Sequence, residues 1–222
     1  NINFMKTALV FGASGLVGSQ LVNLLIKSSD FSKIKLFVRS PIKLDSSKVQ
    51  VIETDFHNLS NYINDIKGDD CFFCIGTTKK NSPDKNEYKR IELEIPKEIG
   101  QISKLNLVKS FSFVSSGYAN PKHSGDYLRY KGLVEEELKR LQFDKLGILR
   151  PSFLIGERKE NRIGEKIGIL IFKILSPIFI GPLKKMKPIQ ANIVAKAMLN
   201  ISKNDLTKNT FESNEIVELS KI

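Results

Sequence analysis

The chain has 222 residues, of which 41% are hydrophobic and 27% charged, a balance typical of a folded globular protein rather than a disordered one. A formal net charge of +11 favours anionic partners, but the lysines are spread along the chain without an arginine-rich arm, so we predict no specific nucleic-acid partner. The two histidines, His57 and His123, lie far apart in the chain, so together with the two cysteines they do not form a four-ligand zinc set, and we predict no metal.

Short apolar runs alternate with helical patterns through the first two thirds of the chain. One helical pattern, rich in charges, extends from about residue 87 to 105. Strands that alternate with helices form parallel sheets with right-handed crossovers. We therefore predict an α/β, Rossmann-type, doubly wound parallel sheet of six to seven strands. The candidate strands are KTALVF, KIKLFV, KVQVIE, DDCFFC, VKSFSFV and LGILR.

The pattern changes after Pro151, which ends the sixth candidate strand. We predict one domain over residues 1–222, with a core at about 4–151 and a small C-terminal helical lobe at about 152–222. In the lobe, TFES is a predicted final strand. The rest, which includes a predicted helix at ANIVAKAMLNIS, is predicted to form a lid over the carboxyl edge of the sheet. The apolar segment near Ile169 is interrupted by Lys173 and Pro177, so we predict no transmembrane segment.

The segment GASGLVG follows the first candidate strand and opens a helix. Glycines at this spacing allow a tight turn and let the backbone approach a pyrophosphate, and the helix N-terminus provides N–H donors. This context predicts dinucleotide binding more strongly than the glycines would alone. The predicted phosphate-binding residues are Gly12, Ser14, Gly15, Leu16, Val17 and Gly18.

The end of the second strand distinguishes the two nicotinamide dinucleotides. An NAD-binding fold usually has an acidic residue there that accepts a hydrogen bond from the ribose 2′-hydroxyl, whereas this chain has Arg39 and Ser40. Because a guanidinium can bind a 2′-phosphate through a forked pair of hydrogen bonds, we predict NADP(H) in preference to NAD(H). The alternative is that Arg39 is an ordinary solvated arginine.

Other strand ends should meet the same ligand, because ligands of open α/β sheets bind outside the carboxyl ends of the strands. We predict contacts near the adenine after the third strand and beside the ribose and phosphates after the fourth. The predicted residues are Asp55, Phe56, Gly76, Thr77, Thr78 and, after the sixth strand, Pro151.

The segment GDYLRYKGLVEEELKRL has apolar residues at helical spacing, so Tyr127 and Lys131, four residues apart, share one helix face. An ammonium beside a tyrosine stabilises the phenolate anion, which is how such a pair can serve in acid–base catalysis. Ser115 and Ser116 end the fifth strand at the same edge of the sheet. By spacing alone, however, the pair can equally be one turn of a surface helix.

Together these segments resemble the short-chain dehydrogenase/reductase superfamily, in particular its atypical Tat-interactive-protein-like branch. GASGLVGSQL is shared by much of the superfamily, whereas CIGTTKK and GERKENRIGE are more specific to the branch. The resemblance implies Tyr127 as general acid, Lys131 as ligand of the nicotinamide ribose, and Ser116 as the group that orients a carbonyl, with Ser115 as the second choice. One departure is IGTTKK, where many members have an asparagine-rich motif.

The function that the resemblance implies is NADPH-dependent reduction of an unidentified small-molecule carbonyl compound. The alternative is an NADPH-binding regulatory protein with little or no turnover, acting through a protein partner; a homodimer also stays open. In the loop after the sixth strand, Arg158, Lys159 and Arg162 either bind an acidic substrate or are solvated. With only two cysteines and without a recognisable signal peptide, the chain is predicted to be cytoplasmic.

The two cysteines have the C-x-x-C spacing of redox motifs. Cys71 and Cys74 nevertheless fall in a predicted buried strand, where residues three apart point to opposite faces, rather than at a helix N-terminus. We therefore predict a structural role for both, in a reducing compartment.

Overall fold

A computed structural model describes residues 5–156 and 188–222 of this chain. The predicted basic loop, with Arg158, Lys159 and Arg162, and the predicted apolar helix near Ile169 lie outside these residues. The described strands are β1 (Lys6–Phe11), β2 (Phe31–Val38), β3 (Val49–Glu53), β4 (Asp70–Phe73), β5 (Ser110–Val114), β6 (Lys145–Arg150), β7 (Leu154–Ile155), β8 (Ile189–Gln190) and β9 (Thr210–Glu212). The described α-helices are α1 (Leu16–Lys27), α2 (Lys85–Lys89), α3 (Ile95–Leu105), α4 (Asp126–Arg140), α5 (Ala191–Lys203) and α6 (Ser213–Leu219).

Seven strands form one parallel sheet in the order β3-β2-β1-β4-β5-β6-β9. The strand order reverses at β1, where the chain crosses from one half of the sheet to the other. The predicted α/β doubly wound parallel sheet is confirmed, and TFES supplies its last strand as β9. β7 and β8 form a separate two-stranded parallel pair.

The central strands β1, β4 and β5 are buried on both faces, which explains why they are nearly continuous apolar runs, whereas the edge strand β3 has no buried residue. Alternate residues of β1 point to opposite sides: Ala8 and Val10 pack with α1, α5 and α6, whereas Leu9 and Phe11 pack with α3 and α4. On the second side, Phe37, Phe11, Phe73 and Phe113 lie side by side across four strands. These rings form an apolar layer on the side of the sheet that faces α3 and α4.

The helix predicted from ANIVAKAMLNIS exists as α5, but it is a layer of the core rather than part of a lid. It packs beside α1 and buries Val194, Ala195 and Met198 completely. Its alanines carry small side chains, which let the two helices approach closely. The sequence showed the apolar face of α5 but not the surface that this face would meet.

The charged helix predicted over 87–105 is continuous but irregular. α2 and α3 are joined by a π-helical turn, Arg90–Glu94, without a break in the helical backbone. A π-turn contains one extra residue, and it therefore rotates the helix after it relative to the helix before it. Among the described residues, no helix is both long and apolar enough to cross a membrane.

One buried acid lies at the amino end of the sheet, away from the carboxyl edge. Asp70 opens β4, is 2% exposed, and has an oxygen 3.2 Å from the Lys6 ammonium. Burial raises the pKa of Asp70 above its ordinary value, although Lys6 opposes the rise.

This raised pKa predicts a pH-dependent cost to stability. A carboxyl that is harder to ionise in the folded state loses stabilising effect as the pH rises above its unfolded pKa of about 4. We expect the free energy of unfolding of Asp70→Asn to increase relative to that of the wild type between about pH 4 and pH 7. Urea unfolding at several pH values measures this difference, and a constant difference would contradict the prediction.

Candidate functional site

The glycine turn between β1 and α1 brings three backbone segments into contact. Gly12 has φ of +88°, and a Cβ on it would lie 2.8 Å from the carbonyl carbon of Cys74 at the end of β4. A Cβ on Gly18 would lie 2.1 Å from the carbonyl oxygen of Gly12. Any side chain at either position would push the segments apart, so these two glycines hold the start of α1 against the sheet edge.

The N-terminus of α1 is open to a ligand. Gly15 precedes the helix without a side-chain hydrogen bond to the first turn, and that turn contains no acidic residue. Ser14 and Gly15 are exposed, Leu16 is half-buried, and Val17 is buried. Backbone N–H groups and the positive end of the helix dipole suit an anion such as a pyrophosphate.

A cavity of about 500 Å³ lies at the carboxyl edge beside this turn. Its walls come from the ends of β1, β2, β3 and β4 and from α2, the π-turn and the start of α3. It brings together eight residues predicted for the cofactor: Gly12, Ser14, Gly15, Arg39, Asp55, Phe56, Gly76 and Thr77. The predicted residues outside its lining are Leu16, Val17, Gly18, Ser40, Thr78, Lys131 and Pro151.

The loops after β2 and β3 form one end of this cavity. Arg39 and Ser40 are both exposed, and Arg39 lines the cavity at the strand end. Phe56 has φ of +62°, and its carbonyl accepts a 2.8 Å hydrogen bond from Arg90. Arg90 therefore holds the loop after β3 in a backbone conformation that non-glycine residues rarely adopt.

The loop after β4 is tied to the π-turn. The Thr77 N–H donates a 2.6 Å hydrogen bond to Oε1 of Glu92, and the Thr77 hydroxyl lies 3.0 Å from that of Ser82. Gly76 is exposed beside it, whereas Thr78 turns away and accepts hydrogen bonds from Asn81 and Ser82. The loop thus presents Gly76 and Thr77 to the cavity.

Tyr127 and Lys131 share a face of α4, as predicted. Tyr127 is 37% exposed, whereas Lys131 is 3% exposed, with its ammonium 5.9 Å from the Tyr127 ring centre. The Lys131 nitrogen lies 3.0 Å from Oε2 of Glu92 and 3.4 Å from the carbonyl oxygen of Val114. Burial lowers the pKa of Lys131, but attraction by Glu92, Tyr127 and Glu135 outweighs burial, so the pKa lies above its ordinary value.

The two serines after β5 differ in their surroundings. The Ser115 hydroxyl is buried and donates a 2.5 Å hydrogen bond to Glu135, which also pairs with Arg150. Ser116 is half-buried at the sheet edge. The geometry therefore favours Ser116 over Ser115 as a group that meets a substrate. Nearby, the Pro151 carbonyl accepts a hydrogen bond from Gly117 and joins the ends of β5 and β6.

Cys71 lies in the buried strand predicted for the two cysteines, and Cys74 directly follows that strand. Cys71 lies within β4 and packs on one side of the sheet, and Cys74, at the strand end, packs on the other. Both thiols are free. Burial raises the pKa of Cys71 and raises that of Cys74 to about 12, so neither has the stabilised thiolate of a redox motif.

Sequence reasoning missed Glu92 and Arg90, both in the π-turn. Glu92 follows Tyr88 by four residues and precedes Ile95 and Ile99 by three and seven, so it belongs to the apolar stripe of its helix. An ionisable residue in such a stripe is the signal that was available. Arg90 also pairs with Glu98 on its own helix, but its contact with the loop after β3 left no comparable signal, because the acceptors there are the backbone carbonyls of a distant loop.

The family model for NAD(P)H-binding proteins matches residues 12–168, from the glycine turn to beyond β7. The chain belongs to this NAD(P)H-binding family. The family's match begins at Gly12, the residue whose close contact with the end of β4 shapes the cavity.

The chain is also similar to several curated proteins. It is 29% identical to rat Protein HTATIP2, over 75% of this chain and 70% of that protein. It is 29% identical to Protein FMP52-1, mitochondrial, of Scheffersomyces stipitis, over 97% of this chain and 99% of that protein. It is 30% identical to Protein FMP52, mitochondrial, of Debaryomyces hansenii, over 91% of this chain and 90% of that protein.

Solved structures share the fold at lower identity. The Bordetella bronchiseptica enzyme WbmH in complex with NAD+ has a TM-score of 0.70 and 16% identity, covering 98% of this chain and 80% of that one. UDP-glucose 4-epimerase of Thermotoga maritima has a TM-score of 0.69 and 16% identity, covering 97% and 81%. The resemblance to the short-chain dehydrogenase/reductase superfamily and its atypical branch is confirmed.

The prediction of a cytoplasmic protein is contradicted by these comparisons. The FMP52 relatives carry "mitochondrial" in their names, including one that aligns over nearly the whole of this chain. The prediction was based on the low cysteine count and the lack of a recognisable signal peptide, and these features do not distinguish the cytoplasm from an organelle.

The glycine turn predicts a difference between two glycine substitutions. Gly18→Ala places a methyl group against the Gly12 carbonyl and should lower the free energy of unfolding by about 1–3 kcal/mol while weakening NAD(P)H binding. Gly117→Ala is the control, since a Cβ there would meet the Pro151 carbonyl oxygen at an ordinary 3.6 Å. Urea unfolding and calorimetric titration measure both effects, and equal losses in the two variants would contradict the role of Gly18.

Proposed function

We propose that this chain is an NADPH-dependent oxidoreductase of the atypical short-chain dehydrogenase/reductase type, which reduces the carbonyl group of a small molecule. The observation that carries the proposal is the buried Lys131 ammonium beside the exposed Tyr127, linked through Glu92 to the loop that lines the cavity. A tyrosine with only a packing role would not need a buried cation beside it.

The cavity residues fit a nicotinamide dinucleotide. A Cβ at Gly12 or Gly18 would collide with backbone, so the turn has the close-packed form that leaves the α1 N-terminus clear for phosphates. In our proposal Gly12, Ser14 and Gly15, with the first N–H groups of α1 at Leu16, Val17 and Gly18, bind the pyrophosphate. Asp55 and Phe56 border the adenine, and Gly76, Thr77 and Pro151 border the nicotinamide half, whereas Thr78 lies outside the cavity lining and makes no contact in this proposal.

The preference for NADPH rests on the end of β2. Arg39 is exposed at the cavity, followed by Ser40, and a carboxylate that would accept from a ribose 2′-hydroxyl is missing from these two positions. A guanidinium and a hydroxyl both donate hydrogen bonds, which suits a 2′-phosphate and leaves a 2′-hydroxyl without its usual acceptor.

The chemistry divides between the cofactor and three side chains. When bound, NADPH supplies a hydride to the carbonyl carbon. Tyr127 donates its hydroxyl proton to the carbonyl oxygen, which completes the alcohol, and Ser116 donates a hydrogen bond that orients the same oxygen. Lys131 binds the nicotinamide ribose, and its positive charge stabilises the phenolate that Tyr127 becomes.

The 2′-phosphate role of Arg39 can be tested by cofactor discrimination. Arg39→Ala should weaken NADPH binding by about 10- to 100-fold, because a charged hydrogen-bond donor is lost, while NADH binding stays nearly unchanged. Arg140→Ala, which removes an exposed charge on α4, controls for the general attraction of a basic protein for anions. Calorimetric titration with both dinucleotides gives the two affinities, and equal losses for NADPH and NADH in Arg39→Ala would exclude the 2′-phosphate role.

The role of Tyr127 can be tested by removing its hydroxyl. Tyr127→Phe should lower turnover by about 100-fold or more at nearly constant NADPH affinity, since the proton donor is lost and the ring is kept. Tyr130→Phe is the matched control one position before Lys131 on the same helix, where the ring packs against Tyr88. NADPH oxidation over a panel of aldehydes and ketones gives the rates, and unchanged turnover in Tyr127→Phe would remove this residue from catalysis.

The alternative is a regulatory protein that binds NADPH without turnover. It predicts tight NADPH binding, no oxidation of NADPH by any carbonyl on the panel, and no effect of Tyr127→Phe on any measured property.

A further inference from the structure

Glu92 is a buried carboxylate to which the proposed reaction assigns no role. Its side chain is fully buried, and it lies in the π-turn Arg90–Glu94. An ionised carboxylate in the protein interior is costly unless its oxygens are paired or hydrogen-bonded. The contacts of its two oxygens therefore indicate why it is there.

Each oxygen of Glu92 contacts a different part of the candidate site. Oε1 accepts the 2.6 Å hydrogen bond from the Thr77 N–H in the loop after β4, and Oε2 lies 3.0 Å from the Lys131 ammonium on α4. Thr77 lines the cavity, whereas Lys131 lies outside its lining. One carboxylate thus joins the cofactor loop to the lysine beside Tyr127.

The surroundings of Lys131 make Glu92 its main ionic partner. The other titratable groups that face the ammonium are Tyr127 and Glu135, on its own helix, and Cys74 at the end of β4. β5 contributes only the Val114 carbonyl and the ring of Phe113, 4.9 Å away. Glu135 is already paired with Arg150 and Ser115, so it cannot replace Glu92.

Glu92 lies on the buried side of the π-turn that joins α2 to α3. α2 and α3 flank it, and Tyr88, Ile95 and Ile99 point to the same buried side. An extra residue in the turn offsets α3 relative to α2, and such local irregularities in helices are frequent at functional sites.

We propose that Glu92 is a positioning residue, which fixes the Lys131 ammonium and the Thr77 loop relative to each other so that both meet the cofactor. This inference rests on the proposed function, in which Lys131 binds the nicotinamide ribose. Glu92 itself touches neither cofactor nor substrate in this scheme and acts through Lys131 and Thr77.

The main test is Glu92→Gln, which separates the two contacts. Glutamine keeps an oxygen for the Thr77 N–H but has no charge for Lys131. We expect NADPH affinity at pH 7 to fall by about tenfold, the effect of losing a buried ionic partner. We also expect NADPH affinity to fall further between about pH 7 and pH 9.5. Without the negative charge of Glu92, burial lowers the pKa of Lys131, and the ammonium loses its proton in this pH range.

The wild type should show no such loss over the same pH range. Its Lys131 pKa is raised, so the ammonium persists below about pH 10 and is lost only at still higher pH. Calorimetric titration with NADPH at several pH values measures this pH profile without requiring a known substrate. A flat profile and unchanged affinity in Glu92→Gln would overturn the inference.

Two further variants separate positioning from folding. Glu135→Gln removes the other buried carboxylate of the site, which pairs with the half-buried Arg150, and it should lower the melting temperature while NADPH affinity at pH 7 stays within about twofold of the wild type. Glu92→Asp keeps the charge on a shorter side chain that cannot reach both partners, so it should bind NADPH more weakly than the wild type with a flat pH profile. It also serves as the test if Glu92→Gln does not fold.

The outcomes distinguish this inference from the proposed function. If Glu135→Gln weakens NADPH as much as Glu92→Gln does, or if Glu92→Asp binds as tightly as the wild type, the positioning role fails while NADPH binding stands. If the wild type binds no NADPH, the proposed function fails, and the inference fails with it.

Discussion

The backbone contact at the glycine turn is the constraint on which the candidate site depends. Gly18 lies so close to the Gly12 carbonyl, and Gly12 so close to Cys74, that β1, α1 and the end of β4 meet without intervening side chains. This contact directs the N-terminus of α1 at the carboxyl edge of the sheet. It also places the ends of β2 and β3 on one side of the cavity and the loop after β4 on the other. A methyl group here would separate the elements whose junction forms the cavity.

Buried charges organise the other half of the site. Lys131 with Glu92, and Arg150 with Glu135, lie at the same edge of the sheet, and each carboxylate also accepts a hydrogen bond from a further group. Burying such charges is tolerated only when every partner is in place, so these pairs restrict the helices and loops to one arrangement. They also explain the contrast between the two neighbouring serines, because Glu135 engages Ser115 and leaves Ser116 at the edge.

The sequence predicted the elements whose patterns are local. Apolar runs on both faces identified the parallel strands, and helical spacing identified α4 with Tyr127 and Lys131 on one face. The prediction for α5 was incomplete, because an apolar helix face does not reveal which surface covers it, and the lid assignment was wrong for that helix. Glu92 was overlooked because its role depends on two partners distant in sequence: Thr77, 15 positions away, and Lys131, 39 positions away.

The sequence by itself determined the class of the protein: the order of strands and helices, the glycines of the turn, the absence of an acid at the end of β2, and the Tyr127–Lys131 spacing. These features depend on residues close together along the chain, where backbone geometry limits the outcome. Only the tertiary structure decided which residues share the cavity, which serine is accessible, and that Glu92 joins Lys131 to Thr77. Those relations depend on how distant segments pack. Because a buried charge is costly unless it is paired, they also contribute to the stability of this arrangement.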